Sequence, residues 1–136
     1  MTTSDNHNDT NWTPKLSDGQ ALMFETERGF KGHIKIQERL FRVFLTQIDG
    51  TNDDRRAAHS LAGMAADGAE ITGKIIQNLD ESVCIRPVRP APVVFGHLSV
   101  SDNEGVQFEL AAWLRFSRAG GRYVSGRVTQ VSDTES

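Results

Sequence analysis

The sequence predicts a mainly β fold, a small antiparallel barrel or sandwich of six to eight strands with one short α-helix. Three observations predict it. Val106, Phe108, Leu110, Ala112, Leu114 and Phe116 recur at every second position without a break, with Gln107, Glu109, Ala111, Trp113, Arg115 and Ser117 facing the other way, the period-two mark of a half-buried strand. Residues 30–36 repeat the pattern, with Phe30, Gly32, Ile34 and Ile36 set against Lys31, His33 and Lys35. The chain has 136 residues, 38% of them hydrophobic, enough for one domain with one core and too little for two.

The elements follow in order. Residues 1–19 read as a polar tail with isolated apolar residues, of which Trp12 stands out and packs back onto the domain or anchors a partner. A single domain spans 20–131, and 132–136 form a short acidic tail. The alternating run 30–36 and the β-branched, aromatic run 40–48 are joined by Gln37-Glu38-Arg39, so they form an antiparallel pair, the second strand more nearly buried on both faces. Residues 51–68 then read as the helix: Asn52 can cap, Asp53 and Asp54 suit the positive end of the dipole, and Ala57, Leu61 and Met64 fall at i, i+4 and i+7. Residues 71–77 favour a strand, and 83–86 are a short strand candidate. Pro87, Pro90 and Pro92 make the next stretch a connection. Residues 94–100 alternate again, and 101–105 make a turn. A long hairpin closes the chain: Val106, Phe108, Leu110, Leu114, Val124 and Val128 lie on one face and belong to the core.

Composition excludes several classes of function. Fifteen Lys and Arg against 18 Asp and Glu leave a net charge of −3, so this is no histone-like polycation. No apolar run reaches the ~20 residues of a membrane helix. The N-terminus has no apolar signal core, and the single cysteine, Cys84, suits a reducing compartment, so the expected location is the cytoplasm. No Walker loop, dinucleotide fingerprint or nucleophile elbow occurs. His7, His33, His59 and His97 lack metal-ligand spacing; His33 and His97 read as solvated strand residues, and Cys84 as a small core residue. The expectation is a protein that is not an enzyme and holds no metal or cofactor.

The polar face of the hairpin carries the chemistry. With a tight loop, opposed residues sum to about 238, which places Arg115 beside Tyr123, Trp113 beside Ser125 and Ala111 beside Arg127. Trp113, Tyr123, Arg115 and Arg127 then share one sheet face, with Arg118 and Arg122 in or beside the loop. Flat rings for base stacking beside cations for phosphate are what a single-stranded nucleic acid requires. The alternative is structural: Trp113 packs beneath another element, and Tyr123 stacks on Arg115. The charge distribution points the same way. Residues 29–48, including Lys31 and Lys35, and residues 106–131 each carry +3, whereas 49–81 carry −4.

The stretch from Ala111-Ala112-Trp113 through Ser117, Gly120-Gly121 and Tyr123-Val124-Ser125 resembles the closing hairpin of a family of small β-rich proteins carried by bacterial plasmids and integrative elements, a family without an assigned function. Arg28-Gly29-Phe30-Lys31-Gly32-His33-Ile34 is similar to that family's opening Gly-Phe-x-Gly-x-Ile. The chain departs from the pattern around residues 49–82, and it has Arg127-Val128-Thr129-Gln130 where the family has Leu-Asp-Asp-Pro. The resemblance implies a small β fold in a mobile-element setting. The leading expectation is therefore a binding module for single-stranded nucleic acid. Strands, a helix and further strands is also the order of an oligonucleotide-binding barrel, an analogy of fold alone. The rival is an inhibitor or adaptor from a plasmid or phage that engages a host or defence protein, favoured by the acidic total.

Overall fold

Eight antiparallel strands close into a barrel in the computed structural model, which describes residues 15–48 and 55–131. The strands are β1 (Gln20–Thr26), β2 (Gly29–Ile36), β3 (Arg39–Gln47), β4 (Arg56–Ala65), β5 (Glu70–Asn78), β6 (Val94–Val100), β7 (Gln107–Phe116) and β8 (Arg122–Val131), with a single-turn helix α1 (Glu81–Cys84) between β5 and β6. Each strand pairs with its neighbours in sequence, and β1 pairs with β8 to close the ring. This up-and-down order is not the five-stranded Greek key of an oligonucleotide-binding barrel. Closure leaves no strand edge unpaired.

Alternation along each strand fills the interior. Met23, Ile34, Phe41, Leu61, Ile71, Ile75, Leu98 and Leu110 point inward and are buried, as expected for an eight-stranded barrel whose lumen is packed with side chains. Phe108, Val124 and Val128 join them, while Val106 and Leu114 are partly buried against the same core. In β3 the alternation is strict: Phe41, Val43 and Leu45 are buried, whereas Arg42 and Phe44 are exposed, so that strand is buried on one face only. The hairpin register is the expected one, with Arg115 opposite Tyr123 and Ala111 opposite Arg127.

Two assignments from the sequence are corrected. Residues 56–65 form strand β4, not a helix. Ala57, His59, Leu61 and Ala65 are its buried residues, a period of two that a histidine conceals when it is counted as polar. Pairing with β3 on one side and β5 on the other overrides the helix preference of Ala, Arg and Met. The helix lies instead at Glu81–Cys84, where a short strand was expected; Asp80 caps it by accepting the Ser82 backbone N–H at 3.1 Å. Buried Cys84 anchors this turn in the core, and burial raises its thiol pKa, with nearby Glu81 and Asp80 adding to the effect.

The two ends of the barrel differ. At one, Gln37 and Glu38 occupy the left-handed region at φ 52° and 67°, the signature of a type I′ hairpin turn, and the Glu38 N–H donates to Asp18 at 2.6 Å. Arg39 grips Asp102 through two hydrogen bonds of 2.9 and 2.8 Å and reaches Asp67 at 3.4 Å, which ties three turns together. Leu16 is buried beside this end, and Gly19 bonds to Lys35 and Val128, so the ordered barrel begins earlier than residue 20. At the other end, α1 and the proline-containing connection cross the opening. The expectations for residues 1–14, Trp12 and His7 among them, for residues 132–136 and for the cap at Asn52–Asp54 lie outside the described residues. No helix among the described residues is long and apolar enough to cross a membrane.

Candidate nucleic-acid interface

The outer wall of the barrel is read from the same alternation. Outward strand positions carry Lys31, Lys35, Arg42, Arg56, Lys74, Arg115 and Arg127, against Glu70 and Glu109 as the only acids among the described residues. The other acids among the described residues lie in turns or at the barrel ends. The wall is therefore basic although the chain is acidic.

The hairpin residues divide among different environments. Trp113 is half-buried, and its indole N–H donates to the Pro90 carbonyl oxygen at 3.1 Å, so the proline-containing connection lies against one edge of its ring. Tyr123 takes Phe24 as its ring partner, with centroids 5.9 Å apart and planes at 39°. Arg115 and Arg127 are exposed on the wall, and Arg118 is exposed in the loop. Arg122 does not join them. It is on the inward parity of β8 at the barrel end, where it pairs with Glu81 of α1 and with Glu25 at 3.4 Å. Those partners neutralise it, and it is withdrawn from the phosphate-binding set. Lys35 sits near the opposite end, 3.9 Å from Glu38.

Register brings together residues that are far apart in sequence. Arg115 lies opposite Tyr123, Tyr123 opposite Phe24, Phe24 opposite Lys31, and Lys31 opposite Phe44. Directly opposed residues point to the same side of a sheet, so these five form one row on the outer wall. Phe24 is 40% exposed and Phe44 50%. Cation, two rings, cation and ring thus alternate across five strands. Arg42 and Phe44 form a ridge between two shallow clefts of about 220 and 430 Å³. The smaller is lined by Phe24, Lys31, His33 and Arg42 with no carboxylate; the larger reaches Met64 and Glu70. Burial, and then the charge of Arg42, lowers the pKa of half-buried His33.

Phe24, Phe44, Arg42 and Met64 were not singled out from the sequence. Their only sequence signal was a ring, an apolar side chain or, at Arg42, a cation at an outward position, and that position becomes visible once the strand parity is known. His59, which the sequence left on a helix face, is buried inside the barrel with Nε2 2.8 Å from Gln77 Oε1 and Phe30 edge-on at 6.0 Å. His33 on β2 and His97 on β6 stand on strands that are not neighbours, and His97 faces Glu109 at 3.5 Å. Among the described residues, no group of His, Cys, Asp and Glu side chains is arranged to hold a metal ion.

No family model, curated protein or solved structure matches this chain.

Proposed function

We propose that this barrel is a non-enzymatic module that binds single-stranded nucleic acid on its outer wall. The observation that carries the reading is the row Arg115–Tyr123–Phe24–Lys31–Phe44, which sets cations among three rings, Phe24 and Phe44 exposed and Tyr123 half-buried, and contains no acid. Rings offer stacking to unpaired bases, and unopposed cations attract phosphate in a sequence-independent way. The mobile-element setting implied by the hairpin resemblance suits an accessory of plasmid or phage DNA metabolism in the cytoplasm. Fluorescence anisotropy with a labelled single strand at low salt tests it. The single strand should bind more tightly than the matched duplex, and its affinity should fall as salt rises.

A second reading, a protein-binding inhibitor or adaptor, is favoured by Met64 and Phe44, both 50% exposed and sharing a cleft with Glu70. Absence of oligonucleotide binding at tens of micromolar protein would put this reading first, to be pursued by capture of partners from a bacterial lysate.

A further inference from the structure

We infer that the nucleic-acid track crosses β7, β8, β1, β2 and β3, with Tyr123, Phe24 and Phe44 as its stacking rings and Arg115, Lys31 and Arg42 as its phosphate contacts, and that Trp113 stands outside it. The inference rests on the single-strand reading and goes further by naming the path and the residues.

Two sides of the hairpin compete for the strand. On the Trp113 side lies a groove of about 920 Å³ whose wall includes Asp18 as well as Arg115 and Arg127. The Trp113 ring there is half-buried and its one donor is occupied by Pro90. A carboxylate repels phosphate, and the bond to Pro90 ties the Trp113 ring to the connection instead of leaving it to turn toward a base. On the Phe24 side no carboxylate lines the cleft between Phe24 and Phe44, while Lys31 and Arg42 both do. Among the described residues, no acidic group pairs with Lys31, Arg42 or Arg115, so each keeps its charge for an incoming ligand. Charge complementarity thus selects the Phe24 side and selects an anion as occupant.

Shape narrows the anion to a flexible strand. The track follows a closed barrel, so it is convex, and the planes of Phe24 and Tyr123 diverge by 39°. A chain that bends sharply between nucleotides can lay separate bases on these rings. A duplex keeps its bases paired and stacked on one another, so it cannot offer their faces to these rings. From Tyr123 to Phe44 the track crosses three inter-strand spacings of ~4.8 Å, about 14 Å in all. That suits a site at the short end of the ~4–16 nucleotides covered by small single-strand-binding barrels. Stacking on rings, without side chains aimed at base edges, predicts tolerance of base composition. Three phosphate contacts predict a log–log salt slope of about −2 for a single strand.

The test is anisotropy with labelled oligo-dT of increasing length on the full chain, with folding of each variant verified by thermal melt. Phe24→Ala and Phe44→Ala change exposed positions on the wall and should each weaken binding roughly ten-fold. Lys31→Gln and Arg42→Gln should each reduce the salt slope by about 0.7. Trp113→Phe, and Lys74→Gln at an exposed position of β5, should leave affinity within about two-fold, the scale of non-contacting wall positions. If the wild-type chain binds but the two Phe variants match it, or Lys74→Gln weakens binding as much as Lys31→Gln, the track is wrong while the single-strand reading stands. If the wild-type chain binds no oligo-dT yet binds an acidic peptide such as polyglutamate, both fall and the face belongs to a protein partner.

Discussion

Trp113 on β7 donates its indole N–H to the Pro90 carbonyl oxygen 3.1 Å away, which fastens the 79–93 connection to the outer wall of the barrel. One hydrogen bond therefore joins the residue with the largest ring on the hairpin to a segment that crosses the barrel end. Trp113→Phe keeps most of the ring and removes the donor. It should lower stability by about 1 kcal/mol, the usual net value of one such bond. Denaturant unfolding of the variant measures it, and a loss near zero would mean that buried Cys84 and Val93 and the backbone bonds from Val93 to Ala112 and from Leu79 to Arg55 hold the connection without it.

Arg122 lies at the end of the barrel between Glu81 and Glu25. Arg122→Gln should loosen α1 and cost at most about 1 kcal/mol, because the pair is partly solvated. It should leave oligonucleotide affinity within about two-fold, since the guanidinium is already neutralised by protein carboxylates. A large loss of binding would return Arg122 to the phosphate-contacting set. Hydrogen exchange over residues 81–84 would report the loosening directly.

His59 and His33 make stability depend on pH. Burial lowers the pKa of both, against a partial opposing effect of the Gln77 hydrogen bond at His59. With folded pKa values below the unfolded value of about 6.5, the unfolded chain takes up protons first. Stability is whole above that pH and falls as the pH drops below it. The carboxyls of Asp80 and Asp102, lowered by bonds from Ser82 and Arg39, act only in a more acidic range. His59→Leu should therefore reduce the fall in unfolding free energy between pH 7 and pH 5, leaving the share due to His33. Denaturation curves across that range decide it; an unchanged slope would show that the buried ring does not titrate there.

The core predicts its own sensitivities. Leu110 is 2% exposed, and Leu110→Ala should cost roughly 2–5 kcal/mol. At Gly126 an added Cβ would fall 1.9 Å from the Ala111 oxygen and 2.4 Å from the Ala112 Cα, both backbone atoms on the paired strand. Gly126→Ala should accordingly cost about 1–3 kcal/mol or more. Gly121→Ala meets only the Ser117 Oγ at 3.3 Å and should be nearly neutral. Equal melting temperatures for the two alanine variants would contradict the close approach of β7 and β8.

The closing hairpin was legible in the sequence by itself, because its signal is local. Phe108, Leu110 and Leu114 alternate within one strand, and the short loop sets the register that places Arg115 beside Tyr123. The same locality made the β2–β3 pair and the punctuation by Pro87, Pro90 and Pro92 readable. Residues 56–65 were misread because Ala57, Leu61 and Met64 satisfy a helical spacing, while the competing period of two runs through His59 and Gly63, neither of which looks apolar. Only two flanking strands, contributed by distant residues, make a buried histidine part of a sheet. The candidate track depended still more on closure. Phe24 meets Tyr123 across a separation of 99 residues because β1 and β8 pair, and Arg42 and Phe44 are outward only because β3 is solvated on one face. Alternation within a strand is written in neighbouring residues, so the sequence determined which side chains share a face. Which strands stand side by side is settled by the pairing of backbone groups around the whole ring, and that pairing alone decided which rings and cations became neighbours.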